Sequence, residues 1–277
     1  MSEKLSVIVL TYNSEENLKR CLTNVKWADE IVVVDSFSKD GTLQAAESFG
    51  AKIFQRKYPG YTRQLEYGIS KASNNWVFVL DSDEEATPEL ITEIRSVLEN
   101  PEEGIGGYEI SRRVYFLGRW IMHGSWYPDF QYRLFKKDAS EPTHLEIHSS
   151  YGTKQQRGRL ASPINHYSYK NLYDYITRIN TYTTLETSTR LKAMGERRVK
   201  WYNFFLNPLS AFFRMYVVNR GYKDGIQGLI LALFSSFYNL ALYSKIWEYQ
   251  FSDKYEYEKP PISNATLQEY RSKGDNI

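Results

Sequence analysis

Cysteine is nearly absent. Cys21 is the only one in 277 residues, so no intrachain disulfide can form and a reducing compartment is the simpler setting. An excess of one charge is missing too: 35 Lys and Arg against 33 Asp and Glu leave a net charge of +2. That balance removes the general argument for a nucleic-acid partner, and neither zinc-finger spacing nor another nucleic-acid motif occurs. The glycine-rich fingerprints G-x-G-x-x-G and G-x-x-x-x-G-K-[ST] are lacking after the first apolar run, so dinucleotide and P-loop readings lose their main support. Met1-Ser2-Glu3-Lys4 leads directly into an apolar strand, without the longer apolar stretch and cleavage site of a signal peptide. The expectation is a cytosolic protein, free of internal repeats and low-complexity segments.

What is abundant is aromatic. The chain carries 23 Tyr, 14 Phe and 6 Trp, side chains that fill cores but also suit sugar faces and membrane interfaces. A hydrophobic content of 42% is enough for a substantial core, and the length allows one large domain plus an appendage.

Along the chain, apolar runs of strand length alternate with segments of helical period. Leu5 to Leu10 reads as a strand buried on both faces, and Thr11-Tyr12-Asn13-Ser14 ends it. Leu18, Cys21, Leu22 and Val25 then recur at helical spacing, with Asn13 and Glu16 at capping-box distance or Ser14 as the cap. Glu30 to Val34 is a second strand, ending at Asp35. Asp40-Gly41-Thr42 opens a helix with Leu43, Ala46 and Phe49 inward and Gly50 as its stop. Lys52 to Gln55 and Thr62 to Ala72 repeat the pattern. Trp76 to Leu80 is the fourth strand, and it runs into Asp81-Ser82-Asp83-Glu84-Glu85. Thr87-Pro88 behind it reads as an N-cap with proline at the first helical position.

This alternation predicts an α/β fold with parallel strands, right-handed crossovers and helices on both faces. Ligands of such sheets sit beyond the carboxyl ends of the strands. Those ends carry Thr11-Tyr12-Asn13, Asp35-Ser36 and Asp81-Ser82-Asp83. Two carboxylates one residue apart can hold a hard divalent cation whose oxygen shell a substrate's phosphates complete. A solvated loop of acids near a helix start is the plain alternative.

Val7-Ile8-Val9-Leu10-Thr11-Tyr12-Asn13, Glu30-Ile31-Val32-Val33-Val34-Asp35-Ser36, Asp40-Gly41-Thr42 and Leu80-Asp81-Ser82-Asp83 resemble family 2 glycosyltransferases. Within that family the likeness is to the bacterial lipopolysaccharide core glucosyltransferase type, and it continues to about residue 250. The resemblance implies the GT-A fold, a Rossmann-like mixed sheet with helices on both faces. It also implies that Thr11, Tyr12, Asn13 and Asp35 line the nucleotide, that Asp81 lies near the ribose, and that Asp83 binds Mg²⁺ or Mn²⁺ on the diphosphate. Arg63 is a further candidate for phosphate contact, or else a surface arginine.

Beyond a helix bearing Leu90, Ile94, Val97 and Leu98, Gly106-Gly107 interrupts the pattern and Tyr108 to Tyr115 reads as a strand. Phe116 to Asp129 is dense in rings and glycine, so Trp126 and Tyr127 are candidates for the acceptor sugar, with an aromatic minicore as the alternative. Displacement at an anomeric carbon needs a carboxylate within reach of the acceptor hydroxyl. Asp129, in a segment resembling the subgroup's signature, is the candidate general base; a salt bridge to Arg133 is its structural alternative. His148 is a candidate acceptor contact, followed by Ser149 where the resemblance implies a glutamate. His144, Glu146 and His148 could share a strand face, and His166 reads as a buried structural histidine.

From Asn171 the pattern is helical, with Leu172, Tyr175, Ile176, Ile179 and Tyr182 on one face. A basic stretch, Arg190 to Lys200, leads into Trp201-Tyr202-Asn203-Phe204-Phe205-Leu206, the composition of a surface that settles on anionic lipid. Ile226 to Tyr243 is free of charge and about 18 residues long, the lower limit for a span. Gln227, Ser235, Ser236 and Asn239 favour a helix lying in the interface or packed on the protein over a crossing.

The expectation is therefore a catalytic domain at 1–168, split into a nucleotide-sugar half (1–100) and an acceptor half (101–168). A helical, membrane-associating arm follows at 169–252 and a polar tail at 253–277. The function expected is inverting transfer from a nucleotide diphosphate donor, a UDP-sugar, to a lipid-linked or lipopolysaccharide-core saccharide. It would take place in the cytoplasm, peripheral to the inner face of the plasma membrane. A non-catalytic sugar binder with the same fold is the alternative, and Ser149 is its support.

Overall fold

Continuous runs of Val, Ile and Leu form strands only where helices cover both faces of the sheet. In the computed structural model, which describes residues 2–143, 150–169, 171–255 and 261, that condition holds for the first eighty positions. The chain divides into two units, Met1–Tyr115 with Tyr127–Ser168, and Phe116–Trp126 with Tyr169–Ile277.

In chain order the elements are β1 (Leu5–Thr11), α1 (Glu15–Thr23), β2 (Glu30–Asp35), α2 (Thr42–Ser48), β3 (Lys52–Gln55), α3 (Tyr61–Lys71) and β4 (Trp76–Asp81). Then come β5 (Glu84–Ala86), α4 (Pro88–Glu99), β6 (Ile105–Phe116), β7 (Arg119–Trp120), β8 (Asp129–Lys136), β9 (Ser140–Thr143), β10 (Ser150–Thr153), β11 (Gln156–Arg159) and β12 (Ile164–His166). Helices α5 (Leu172–Met194), α6 (Asn203–Phe213) and α7 (Gly225–Tyr255) complete the described chain.

The main sheet of the first unit runs β3-β2-β1-β4-β8-β6-β12-β5. β1 to β4 are mutually parallel. β8 enters antiparallel between β4 and β6, and β12 lies parallel to β6 but antiparallel to β5. The sheet is therefore mixed. Alternate residues of β1 and β4 point to opposite faces: Leu5, Val7, Val9, Phe78 and Leu80 pack with α1, α2 and α4, while Ile8, Leu10, Val77 and Val79 pack with Leu65 and Ile69 of α3. Each fully buried side chain of this size contributes roughly 1.5–3 kcal/mol before chain entropy is counted.

Local signals are mostly obeyed. Thr87 caps α4, its hydroxyl accepting from Leu90 N at 3.3 Å, with Pro88 in the first turn. Leu18, Cys21, Leu22 and Val25 are all buried. Ser14 is the N-cap of α1 but makes no side-chain cap bond; its hydroxyl donates to the Tyr12 carbonyl instead. In α2 the buried positions are Thr42, Ala45 and Ala46, with Leu43 only half-buried. Gly106 and Gly107 do not interrupt β6 but lie inside it. At Gly107 a Cβ would meet Tyr132 Oη, Phe135 Cβ at 2.5 Å and Leu134 O at 2.6 Å, so only glycine fits beside β8.

The second unit is helical. Phe116, Ile121, Tyr175, Ile179, Met215, Leu231 and Ala232 form one core cluster. The inward stripe of α5 is Tyr175, Ile179, Thr183, Thr184 and Thr187; of the residues expected on one face, Leu172, Ile176 and Tyr182 are exposed. Helix α7 holds the threonines of that stripe, its Lys245 Nζ donating to the Thr183 and Thr184 hydroxyls, both at 2.7 Å, and to the Asn180 carbonyl at 2.7 Å. α7 extends beyond the expected Ile226 to Tyr243, reaching Tyr255 and so entering the expected tail. It is long and apolar enough to cross a membrane, with a mean hydropathy of 1.5 over its most apolar window, 22% of which is buried.

Candidate active site

β1 is the central strand of the parallel set, so the chain leaves its carboxyl end between the ends of β2 and β4. Two backbone bonds carry the pairing past the strands: Ser36 N donates to Thr11 O at 3.0 Å, and Ser82 N to Leu10 O at 3.2 Å. The three polar clusters expected at these ends thus sit side by side.

Asp35 is fully buried and its carboxylate is held on both oxygens. The Ser38 hydroxyl donates to Oδ1, while Ser38 N at 2.9 Å and Gln55 Nε2 at 3.0 Å donate to Oδ2. Ser38 Oγ also accepts from Asn13 N at 2.8 Å, and Asn13 Oδ1 accepts from Lys39 N at 2.8 Å. Asn13 has φ +45°, a left-handed conformation that asparagine tolerates better than most residues. Tyr12 is exposed. Thr11 Oγ1 and Gln64 Oε1, both buried, have no hydrogen-bond partner among the described residues. Arg63 is exposed in the first turn of α3.

Below the β4 end lies a buried charge network that the sequence does not announce. Arg133, from β8, donates Nη2 to Asp81 Oδ2 at 2.8 Å and to Glu84 Oε1 at 2.7 Å, and Nη1 to the Tyr61 hydroxyl at 2.9 Å. Glu84 Oε2 accepts from Asp81 N at 3.0 Å. Burial alone would lower the Arg133 pKa, but Glu84, Tyr61 and Asp81 outweigh it and hold it well above the ordinary guanidinium value. Burial pushes the Glu84 carboxyl up, against the pull of Arg133, and also pushes the Tyr61 phenol up.

Asp129 joins the same network from the other side. Arg112 Nε donates to its Oδ2 at 2.8 Å and Arg112 Nη2 reaches the same oxygen, while Gln131 Nε2 donates to Oδ1 at 2.8 Å. The expected structural partner, Arg133, is committed to Asp81 and Glu84. Register explains the exchange: Asp129 lies directly across from Arg112 in the β6–β8 pair.

Asp83 stands at the turn between β4 and β5. Its Oδ1 is 3.5 Å from His166 Nε2, and its carbonyl accepts from Tyr167 N at 2.9 Å. The antiparallel β5–β12 pair sets His166 opposite Glu84 and so brings the imidazole to Asp83. His166, expected to be structural, is therefore a polar neighbour of the acidic turn. Among the described residues no three His, Cys, Asp or Glu side chains converge. A carboxylate and an imidazole form a partial donor set, which fits a Mg²⁺ or Mn²⁺ ion whose remaining shell comes from phosphate and water.

The consecutive acceptor candidates Trp126 and Tyr127 fall on either side of the division into units. Tyr127 is half-buried in the first unit and precedes a cis proline, Pro128. Trp126 belongs to the second unit, where it lines a cavity of about 360 Å³ with Tyr175, Arg214, Phe234 and Tyr238. His148, like His144, Glu146 and Ser149, lies outside the described residues.

Residues 6–155, more than half of the chain, match the profile of the family described as Glycosyl transferase family 2. The chain is 24% identical over 257 residues to the lipopolysaccharide core biosynthesis glycosyltransferase LpsC of Rhizobium meliloti (strain 1021), covering 88% of this chain and 92% of that one. It is 23% identical over 290 residues to a glycosyltransferase of Rickettsia conorii, RC0292, with 99% and 98% covered. Among solved structures, the mannosyltransferase PcManGT from Pyrobaculum calidifontis, in complex with GDP-Man and Mn²⁺, is similar with a TM-score of 0.52 at 16% identity. That match covers 89% of this chain and 87% of the other.

Proposed function

Since the chain belongs to glycosyl transferase family 2, with a GT-A fold, we propose that it is an inverting, metal-dependent enzyme that uses a nucleotide diphosphate sugar, a UDP-sugar in our reading. Its acceptor is a lipid-linked or lipopolysaccharide-core saccharide, reached from the cytoplasmic side of the membrane. The name of LpsC supports the acceptor class, and the Mn²⁺ in the PcManGT complex supports the cation.

The observation that carries the proposal is the convergence of strand-end groups in one sheet margin, with Thr11 Oγ1 and Gln64 Oε1 left without partners there. Buried polar atoms without partners are costly unless a ligand uses them. Thr11, Tyr12, Asn13 and Asp35 would line the nucleotide, Asp81 would face the ribose, and Arg63 would reach the phosphates. Asp83 and His166 would hold the cation, which when bound neutralises charge on the departing diphosphate. Asp129 would accept the acceptor's hydroxyl proton as that oxygen bonds the anomeric carbon and the sugar–phosphate bond breaks. Arg112 would position the carboxylate for that step. Trp126, Tyr127 and His148 would meet the acceptor.

A second reading has one observation in its favour: both oxygens of Asp129 are already occupied by Arg112 and Gln131. A non-catalytic nucleotide-sugar binder would tolerate that occupancy. Incubating the protein with UDP- and GDP-sugars, Mn²⁺ and a lipopolysaccharide-core acceptor, and measuring free nucleotide, tests the proposal. Acceptor-dependent release supports transfer; saturable donor binding without release supports the binder.

A further inference from the structure

Helix α6 turns four large apolar side chains outward. Phe205, Leu206, Leu209 and Phe213 are exposed, Phe205 by 66% and Leu209 by 64%. The side it buries holds Pro208 and Ala211. Spacings of three and four residues set the exposed group on one face, which Tyr202 extends backward and Val217 forward. Phe204 and Phe212 pack partly against the unit's core, yet four large apolar side chains on the opposite face are left in water, the reverse of what water selects. Trp201, just ahead of the helix, is 76% exposed.

Charge supplies the independent observation. Between Arg197 and Lys223 the sequence contains Arg197, Arg198, Lys200, Arg214, Arg220 and Lys223 and not one Asp or Glu, although the whole chain carries only +2. Glu196 and Asp224 bound this acid-free window, and the exposed cations inside it flank the apolar helix in sequence on both sides, a pattern complementary to a layer with an acyl interior and anionic headgroups. The long helix α7 also exposes apolar side chains, Ile226, Leu233, Phe237 and Leu240, but its other side is packed. Its Leu231, Ala232, Leu242 and Ile246 are buried, and its Lys245 is bonded to α5.

We propose that α6 is an in-plane anchor for anionic phospholipid. Tyr202, Phe205, Leu206, Leu209 and Phe213 enter the acyl boundary, and the six cations lie against the headgroup phosphates. α7 stays packed within its unit and does not cross. The anchor deepens the reading of a glycolipid acceptor and rests on it for its purpose, since an enzyme held at the bilayer meets a lipid-linked saccharide in two dimensions.

The test uses the full-length protein and sedimented vesicles of phosphatidylcholine alone or with 30–40%, roughly, phosphatidylglycerol, a range chosen so that the surface is clearly anionic. Binding is expected only to the anionic vesicles, and to weaken at least about tenfold when salt screens the headgroups. Phe205→Glu with Leu209→Glu should abolish sedimentation. Arg197→Ala with Arg198→Ala should weaken it, about fivefold for each cation removed. Both pairs should keep the wild-type melting temperature and Mn²⁺-dependent donor binding. Equal binding to neutral vesicles, full binding by the Phe205/Leu209 pair, or a defined dimer indifferent to vesicles would overturn the anchor. Retention of the chain in membranes after alkaline carbonate extraction would overturn the in-plane arrangement in favour of a crossing. Donor binding measured on the same samples reports separately on the glycosyltransferase reading, so the two can fail independently.

Discussion

Arg112 stands between two carboxylates from different strands, its Nε 2.8 Å from Asp129 Oδ2 and its Nη1 3.5 Å from Glu84 Oε1. Glu84 is in turn bonded to Arg133, so one chain of charges runs from the Asp81 end of β4 to Asp129. Breaking a buried pair by removing one partner costs about 3–5 kcal/mol, because the other charge is left uncompensated. Arg133→Met should therefore lower the melting temperature by roughly 10 °C, given about 2–4 °C per kcal/mol for a chain of this size. Arg112→Met, at a less buried position, should cost less in melting temperature but reduce turnover about tenfold or more, with Arg112→Lys partly restoring it. Calorimetry and a transfer assay on the three variants check this.

Asp83→Ala and His166→Ala should each diminish the stabilisation that Mn²⁺ adds to a bound nucleotide sugar. A thermal-shift series with donor, with and without metal, reads the effect directly. Full metal-dependent stabilisation in both variants would show that neither side chain is a ligand.

Asp129→Asn keeps the shape and one acceptor for Arg112, exchanges the other acceptor for an amide donor facing Gln131, and cannot take a proton. Donor affinity should stay within about twofold, while turnover falls at least 10²-fold, roughly the size of a general-base contribution. Isothermal titration paired with initial rates separates the two effects.

Acid should attack the first unit at Glu30. Burial alone would raise this carboxyl, but hydrogen bonds from Lys52 at 2.5 Å, Ser6 at 2.5 Å and Ser73 bring it from 4.5 down to about 2. The folded form therefore binds fewer protons than the unfolded chain. Its stabilising contribution is complete above pH 4.5 and lost as pH falls toward about 2, on the order of 3 kcal/mol in all. Denaturant midpoints between pH 5 and pH 3 should drop steeply in the wild type and less so in Glu30→Gln.

Gly107→Val should be among the most damaging single changes in β6. The new side chain would run into Phe135 Cβ and the Leu134 carbonyl, and backbone cannot give way as a flexible side-chain tip can. Loss of soluble expression, or a melting temperature lowered by about 10 °C, is expected.

Strands β1, β2 and β4 were legible because burial on both faces leaves a mark in every consecutive residue. The stripe of α1 was legible because Leu18, Cys21, Leu22 and Val25 keep helical period. What escaped depends on partners distant in sequence. Nothing local to Asp129 distinguishes Arg112 from Arg133; the β6–β8 register does. Nothing local to His166 points to Asp83, since β12 must first pair antiparallel with β5. Gly106-Gly107 looked like a break because the bulk of Tyr132 and Phe135 across the sheet is invisible along the strand. Nothing local to Thr183 and Thr184 points to the Lys245 ammonium that α7 brings to them from some sixty residues away.

β1 lends its last two carbonyls to the loops on either side, Thr11 O to Ser36 and Leu10 O to Ser82. Both loops of the proposed donor site are thereby riveted to a single rod in the middle of the sheet. Distortion of that rod would shift both loops in concert, so substitutions at Leu10 or Thr11 should disturb the proposed nucleotide and cation sites jointly, and loops farther out are where sequence can drift without loosening the frame.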